Sequence, residues 1–203
     1  MNNKGTIGIL KLPNCGNINN IKNALEYCKA KVGFIEKNDD FKKFDKIVIP
    51  GVGSFNNIID NLIHQNMKNE LVLNIKKKIT LGICIGMQLF AKHSSEIQLT
   101  EGLNILNYDV EKIKTNKPLP VIGYNNIKVK SDNKLLVNID DADKFYFMHS
   151  FAANASEDEI ASTKYYDREY TAVVAKDNIF GVQFHIEKSK KSGIKIINNF
   201  LNL

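Results

Sequence analysis

The sequence predicts an α/β fold with a central, mostly parallel sheet flanked by helices and with additional antiparallel strands in the C-terminal half. The first half alternates short apolar runs with helical patterns long enough to connect parallel strands. The second half is dominated by short strand-like runs, which turn residues such as Asp177-Asn178 separate. No repeat or Pro/Gly-rich linker divides the chain, so we expect one domain over residues 1–203.

The elements of the first half follow from local hydrophobic patterns. In order they are strand Thr6–Leu10, helix Ile18–Lys31, strand Val32–Glu36, strand Lys46–Pro50, helices Phe55–Gln65 and Met67–Lys78, and strand Ile79–Ile83. Strands separated by helices of this length favour right-handed crossovers and a parallel sheet. Active groups of such sheets lie beyond the carboxyl ends of the strands, which is where Gly51–Gly53 and Cys84 fall.

The elements of the second half are mostly strands. They are predicted over Ile105–Ile113, Asn126–Val129, Phe145–His149, Ile160–Tyr165, Thr171–Ala175 and Ile179–Phe184. The final segment, Ser192–Leu203, has Ile194, Ile197 and Leu201 at helical spacing, so we expect a helix that packs on the sheet.

Composition and charge exclude several classes of protein. The net charge is +6, but the lysines form no basic stripe interleaved with aromatic residues, which disfavours nucleic-acid binding, while an anionic substrate or an acidic partner stays open. Apolar stretches are too short to span a membrane, and Met1–Gly5 leads into a strand without a signal-peptide core, so a cytoplasmic protein is expected. No Cys-x-x-Cys spacing or Cys/His cluster among the three cysteines suggests a zinc site. We expect no metal and no cofactor.

The segment Gly82–Gly86 is the strongest candidate for chemistry. It places Cys84 between two glycines, after an apolar strand and before an apolar helical pattern. The glycines make room for a strained turn that projects the side chain from the sheet, as in a nucleophile elbow. The first helical amides then lie beside the sulfur and favour the thiolate. A buried structural cysteine between small residues has the same local sequence.

A thiolate nucleophile needs a base, and four histidines are available. His64 and His93 lie in polar stretches and are expected to be solvated. His185 ends a strand, and Glu187 follows two residues later, which suits an imidazole whose second nitrogen is held by a carboxylate. A surface histidine beside a chance glutamate is the alternative. The glycines of Pro50–Gly53 permit a turn that aims an amide at a ligand oxygen, although an ordinary strand-to-helix turn has the same composition.

Four segments occur together and in an order that resembles the class I (triad) glutamine amidotransferases. The segments are Leu81–Leu89, Ile49–Gly53, Phe145–Phe151 and Gly181–Ser189. The resemblance is closest to the HisH group, the glutaminase subunits of imidazole glycerol phosphate synthase in histidine biosynthesis, and it covers essentially the whole chain. It implies a single-domain, flavodoxin-like amidotransferase fold.

The resemblance also implies a function for individual residues. Cys84 matches the nucleophile that attacks the carboxamide of glutamine, His185 the general acid and base, and Glu187 the carboxylate that holds its ring. The backbone amides of Val52 and Ile85 match the oxyanion donors. The positions that hold the glutamine substrate are matched by Gly53, Gln88, Glu96, Ser150 and Phe151.

The same resemblance implies a protein partner. HisH-like subunits pass ammonia to a (β/α)8 cyclase subunit, HisF, in a heterodimer. Positions at or near that docking face are matched by Asn17, Tyr124, Tyr146 and Lys188. His149 precedes Ser150, and we expect it to serve strand-end packing or interface hydrogen bonding.

Three departures from the family pattern bear on the partner more than on the chemistry. Ile186 replaces the usual proline between His185 and Glu187, the first loop over Lys11–Gly16 is about one residue longer, and the segment Pro120–Tyr124 is altered. Two alternatives therefore stay open. One is a paralogue that supplies ammonia to an amidine-forming enzyme of bacterial surface sugars, and the other is an inactive binding protein on the same scaffold.

Overall fold

A mixed sheet runs through the centre of the structure, a computed structural model that describes residues 5–13, 18–51 and 53–203. The described strands are β1 (Thr6–Leu10), β2 (Lys31–Ile35), β3 (Lys46–Ile49), β4 (Ile79–Ile83), β5 (His93–Ser94), β6 (Thr100–Glu101), β7 (Val110–Lys112), β8 (Val121–Asn125), β9 (Lys128–Val129), β10 (Phe145–His149), β11 (Phe151–Ala153), β12 (Glu159–Tyr165), β13 (Arg168–Lys176) and β14 (Ile179–Val182). The described α-helices are α1 (Asn19–Tyr27), α2 (Phe55–His64), α3 (Lys68–Ile75), α4 (Ile85–Gln88) and α5 (Lys190–Leu201). Short 3-10 helices cover Asn38–Lys43, Lys134–Leu136 and Ile186–Lys188.

The strand order of the main sheet separates a parallel part from an antiparallel part. Within the described chain the order is β2-β1-β3-β4-β14-β13-β12-β9. Neighbours from β2 to β14 are parallel, whereas β13, β12 and β9 add antiparallel pairs. Two smaller sheets, β10-β8 and β11-β7-β5-β6, lie outside it. The predicted fold class is confirmed.

Helices cover both faces of the main sheet. Ile21 of α1 and Phe200 of α5 belong to one buried apolar cluster, together with Ile7 of β1. Phe55 of α2 and Leu71 of α3 belong to a second cluster. Because both faces are buried, the parallel strands are almost continuously apolar, as the run in β3 shows.

Several predicted elements differ from the observed ones for identifiable reasons. Strands β1, β4 and β10 begin and end where predicted. The first helix ends at Tyr27, before Lys29 adopts a φ of 63°. Only Val110–Lys112 of the predicted strand Ile105–Ile113 joins a sheet, because the N–H of Ile105 donates to the carbonyl of Phe90 and not to a neighbouring strand. The hydrophobic pattern of Ile105–Ile113 does not reveal that the N–H of Ile105 bonds to Phe90.

No helix in the described ranges combines the length and the apolar character that crossing a bilayer requires.

A buried lysine ties β3 to the end of α5. Lys46 is only 7% exposed, and its Nζ donates to the carbonyls of Phe200 and Leu201 at 3.0 and 2.9 Å. Burial lowers the pKa of Lys46, while the neighbouring Asp45 raises it. The last carbonyls of a helix have no partner within the helix. Lys46 supplies a donor to the carbonyl of Leu201 and a second donor to that of Phe200, which also accepts from the N–H of Leu203 at 3.4 Å.

We expect Lys46→Met to lower the free energy of unfolding by about 1–3 kcal/mol, because the variant removes a buried donor from the carbonyls of Phe200 and Leu201. Urea denaturation measures the change. Lys42→Met is the matched control, since Lys42 is 80% exposed and its ion pair with Asp39 is expected to contribute little. Equal stability of the two variants would contradict the assignment.

Candidate active site

Cys84 lies at the carboxyl end of β4, directly before α4, in a strained conformation. Its φ and ψ are 53° and −112°, which a residue other than glycine adopts only when the surroundings impose it. The N–H of Cys84 donates to the carbonyl of Val182 at 2.7 Å, and the residue is 3% exposed. The thiol is therefore held at one position on the edge of the sheet.

The neighbouring glycines supply space for this turn. A Cβ added at Gly86 would lie 2.0 Å from the carbonyl oxygen of Ile49, and one added at Gly51 would lie 2.5 Å from the Cβ of Cys84. The backbones of the elbow and of the β3 end are therefore in direct contact. The positive φ belongs to Cys84 itself, so the glycines permit close approach and do not carry the left-handed conformation.

His185 and Glu187 form a buried pair close to the thiol. Their side chains are 4% and 5% exposed, and Nδ1 of His185 lies 2.9 Å from Oε1 of Glu187. A carboxylate only accepts, so Nδ1 carries the hydrogen and Nε2 is left to exchange a proton. Burial lowers the pKa of His185, but the interactions of the ring with the sulfur of Cys84 and with the carboxylate of Glu187 outweigh it, so the net shift of the pKa is upward. The surface-histidine alternative is excluded for this residue.

Nε2 of His185 is open for chemistry. It is buried and makes no hydrogen bond of regular geometry within the described residues. The thiol of Cys84 is nevertheless near enough to raise the pKa of the ring. An imidazole between a thiol and a carboxylate can take the thiol proton and return it to a leaving group.

Cys84, His185 and Glu187 share one cavity of about 620 Å³. Also on its wall are the predicted residues Gly53, Ile85, Glu96, Ser150, Phe151 and Lys188. Oε2 of Glu96 accepts from the N–H of Phe55 at 2.6 Å, which orients the carboxylate. Ile85 is the first residue of α4, so its N–H is one of the amides without an intrahelical partner.

Other predicted residues lie away from this wall or outside the described residues. Gln88 is 3% exposed and lies behind Phe151, whose carbonyl accepts from its Nε2 at 2.8 Å. Tyr124 and Tyr146 pair across β8 and β10, with ring centroids 5.4 Å apart. Val52 and Asn17, together with Cys15, fall outside the described residues.

His149 packs in the protein interior and also contributes to the wall of the cavity. It is 6% exposed, its Nδ1 lies 2.7 Å from the carbonyl oxygen of Phe151, and its Nε2 lies 3.3 Å from the hydroxyl of Tyr165. Burial lowers the pKa of His149 to about 4, so the ring is neutral at pH 7. Strand-end packing is confirmed, and its hydrogen bonds are internal. His64 and His93 are exposed, as predicted.

Sequence reasoning missed four residues at the site. Asn20, Pro120 and Met148 line the cavity. Gln183 is fully buried, and its Nε2 donates to the sulfur of Cys84 at 3.6 Å. A signal for Gln183 existed, because an amide in the apolar run Gly181–Phe184 must find partners when it is buried. The described residues include no group of three His, Cys, Asp or Glu side chains that could hold a metal ion.

Fold and site together define an α/β protein in which a cysteine, a histidine and a glutamate, groups capable of acyl transfer, line one cavity at the edge of a mostly parallel sheet. Comparison with known proteins gives the family. The sequence profile named "Glutamine amidotransferase class-I" matches residues 11–203. The chain belongs to the class I glutamine amidotransferases, and it is an enzyme of that class.

Individual relatives support this membership. The chain is 38% identical over 198 residues to the imidazole glycerol phosphate synthase subunit HisH of Methanocaldococcus jannaschii, with 97% of this chain and 99% of that protein covered. It is 39% identical over 192 residues to the HisH subunit of Pyrococcus furiosus, with 93% and 94% covered. The fold is similar to PurLQS from Thermotoga maritima, with a TM-score of 0.76, 16% identity and 97% of each chain covered.

We expect Glu187→Gln to lower the pH at which the His185 ring loses its proton, because the carboxylate stabilises the imidazolium. Nitrogen chemical shifts of labelled histidines in the full chain measure this pH. A folded-state pKa above the ordinary value stabilises the fold fully below about pH 6.5, and the contribution fades as pH rises through the raised value. The stability lost in the variant is therefore expected to be greatest at acid pH.

Glu36→Gln is the control for this experiment, since Glu36 forms an exposed ion pair with Lys11. An unchanged His185 titration in Glu187→Gln would show that the carboxylate does not hold the imidazolium.

Proposed function

We propose that this chain is the glutaminase subunit of an imidazole glycerol phosphate synthase. It hydrolyses glutamine to glutamate and ammonia and passes the ammonia to a (β/α)8 cyclase subunit, which makes imidazole glycerol phosphate and AICAR in histidine biosynthesis. The observation that carries this proposal is the convergence of the Cys84 thiol and the His185–Glu187 pair in one cavity. The relatives named HisH support the choice of synthase.

In the first half of the reaction, the sulfur of Cys84 attacks the carboxamide carbon of glutamine. The thiol proton passes to Nε2 of His185, and Glu187 stabilises the resulting imidazolium through Nδ1. The tetrahedral oxyanion lies against the amides of Ile85 and Val52 in this proposal. The carbon–nitrogen bond then breaks, His185 gives its proton to the departing nitrogen, and ammonia leaves a γ-glutamyl thioester.

In the second half, water attacks the thioester carbon and His185 takes a proton from that water. The carbon–sulfur bond breaks, glutamate is released and the thiol of Cys84 is restored with the proton from His185. The free Nε2 and the buried Nδ1–Oε1 bond of 2.9 Å suit this alternation, because the ring keeps its orientation while its charge changes.

Residues on the cavity wall are suited to bind the α-ammonium group and the remainder of glutamine. Glu96 supplies a carboxylate, which suits the α-ammonium of glutamine through a charge-assisted hydrogen bond. Gly53, Ser150 and Phe151 line the same wall and are proposed to hold the rest of the substrate. Gln88 contributes through the carbonyl of Phe151, which its amide fixes.

Ammonia must reach the second active site before water protonates it, which favours a partner seated directly over the cavity. The antiparallel pair of strands β8 and β10 presents an apolar face beside the cavity. Ile122 and Tyr124 are 61% and 45% exposed, and Met148, opposite Ile122, is 39% exposed. We name these three residues with Tyr146 the β8–β10 face and propose it, with Lys188, as the docking surface for the cyclase. The heterodimer is proposed to act in the cytoplasm.

We expect Cys84→Ala to abolish glutamine-dependent synthesis by the complex while added ammonium salt still supports it, because only the supply of ammonia is lost. Product formation with each nitrogen source measures the difference. Cys28→Ala is the matched control, since Cys28 is also a buried cysteine but lies at the end of α1. Glutaminase activity that survives in Cys84→Ala would refute the assignment.

We expect the isolated chain to hydrolyse glutamine slowly and the cyclase with its bound ligand to accelerate it strongly. Ile122→Glu is expected to weaken the complex at least tenfold, because a carboxylate in an apolar contact must be desolvated without a partner. Leu73→Glu is the control, since Leu73 is 50% exposed on α3. Calorimetric titration with the cyclase measures the affinity of both variants, and unchanged affinity in Ile122→Glu would exclude the β8–β10 face as the docking surface.

A further inference from the structure

A series of buried hydrogen bonds connects the backbone carbonyl of Phe151 to the sulfur of Cys84. Nε2 of Gln88 donates to the carbonyl of Phe151 at 2.8 Å and to Oε1 of Gln183 at 2.9 Å. Nε2 of Gln183 in turn donates to the sulfur of Cys84 at 3.6 Å. Gln88 and Gln183 are 3% and 0% exposed, so water does not compete for these groups.

The carbonyl of Phe151 fixes the orientation of both glutamine amides in this series of hydrogen bonds. A backbone carbonyl can only accept, so Gln88 must present its NH₂ group to Phe151. The second N–H of that group then points to Gln183, which must receive it with its oxygen. The NH₂ group of Gln183 is therefore the end that faces Cys84, and a flipped amide would break two hydrogen bonds at once.

The carbonyl of Phe151 is itself held from a second side. It also accepts from Nδ1 of His149 at 2.7 Å, and the hydroxyl of Tyr165 lies 3.3 Å from Nε2 of the same ring. Since His149 is neutral, its Nδ1–H can donate while its Nε2 accepts. The two glutamine amides are thus anchored to an interior network that does not depend on bound substrate.

We propose that Gln183 is a further residue of the glutamine reaction, whose amide N–H holds the sulfur of Cys84 and stabilises it as the thiolate nucleophile. This inference rests on the proposed function, in which that sulfur attacks glutamine. Hydrogen bonds to a charged acceptor are about twice as strong as neutral ones, so the contact favours the ionised sulfur over the thiol. A purely structural Gln183 needs no donor aimed at this atom.

The backbone of Gln183 is tied independently of its side chain. Its N–H donates to the carbonyl of Ala172 in β13 at 2.8 Å, which continues the pairing with β13 one residue past the end of β14. A substitution at this position therefore leaves the strand contact available and changes the group beside the sulfur. Gln183 does not line the 620 Å³ cavity, so its loss is expected to spare the binding of glutamine.

The test is the pH dependence of iodoacetamide alkylation of Cys84 in the full chain, followed by mass spectrometry of the peptide that contains it. Gln183→Met keeps the size of the side chain and removes the donor. We expect the pH midpoint of alkylation to rise by about one unit, since a hydrogen bond to a charged group contributes on that scale. In the complex with the cyclase, kcat for glutamine hydrolysis is expected to fall about tenfold with KM unchanged.

Gln183→Glu serves as a second variant in case the apolar one does not fold, because it also keeps the side-chain size. It removes an N–H donor from the sulfur and is expected to raise the midpoint at least as far. Thr80→Val is the matched control. Thr80 is fully buried near the other end of β4, and its hydroxyl donates to the carbonyl of Lys78.

An alkylation midpoint like that of the wild type, in a Gln183 variant with wild-type circular dichroism, would overturn the proposal. A higher midpoint in Thr80→Val as well would do the same, since it would show that any buried hydrogen-bond loss suffices. Failure of the proposed function looks different. It would appear as glutamine hydrolysis that survives in Cys84→Ala, whereas alkylation reports on the sulfur without reference to glutamine.

Discussion

The close contact between the end of β3 and the elbow after β4 is the constraint on which the site depends. Gly51 and Gly86 lie where the two backbones are in contact, and a Cβ added at either position would overlap a carbonyl oxygen of the other segment. This contact holds Cys84 at a φ of 53°, a conformation that costs on the order of 1–3 kcal/mol and persists only under such enforcement. The buried clusters on both faces of the sheet stabilise the fold that enforces it.

The segment that carries His185 and Glu187 is hydrogen-bonded directly to the β8–β10 face. The N–H of His185 donates to the carbonyl of Tyr146 at 2.8 Å, and the hydroxyl of Ser189 accepts from the N–H of Tyr146 at 2.9 Å. The ammonium of Lys188 lies 5.5 Å from the ring centroid of Tyr146. A protein that binds the β8–β10 face therefore contacts residues bonded directly to the segment that carries the imidazole and the carboxylate.

The sequence could predict the parts of this structure that local patterns determine. The boundaries of β1, β4 and β10 follow from hydrophobic runs, and the pair of His185 and Glu187 follows from spacing at a strand end. Contacts between distant segments could not be predicted in this way. The bond from Gln183 to Cys84 joins residues 99 positions apart, and the 3-10 helix over Asn38–Lys43 has no apolar period that marks it. Such features depend on which backbones the fold brings together.

The missing proline between His185 and Glu187 illustrates how tertiary contacts replace local rigidity. Proline fixes its own φ, so its replacement by isoleucine removes a local restriction on the backbone. Here Ile186 is 2% exposed in the apolar cluster that α5 completes. The hydroxyl of Ser189 donates to the carbonyl of His185 at 2.6 Å, and the segment Ile186–Lys188 forms a 3-10 turn. Packing of the isoleucine side chain and this hydrogen bond fix the same segment from outside, which is why the imidazole and the carboxylate still meet at 2.9 Å.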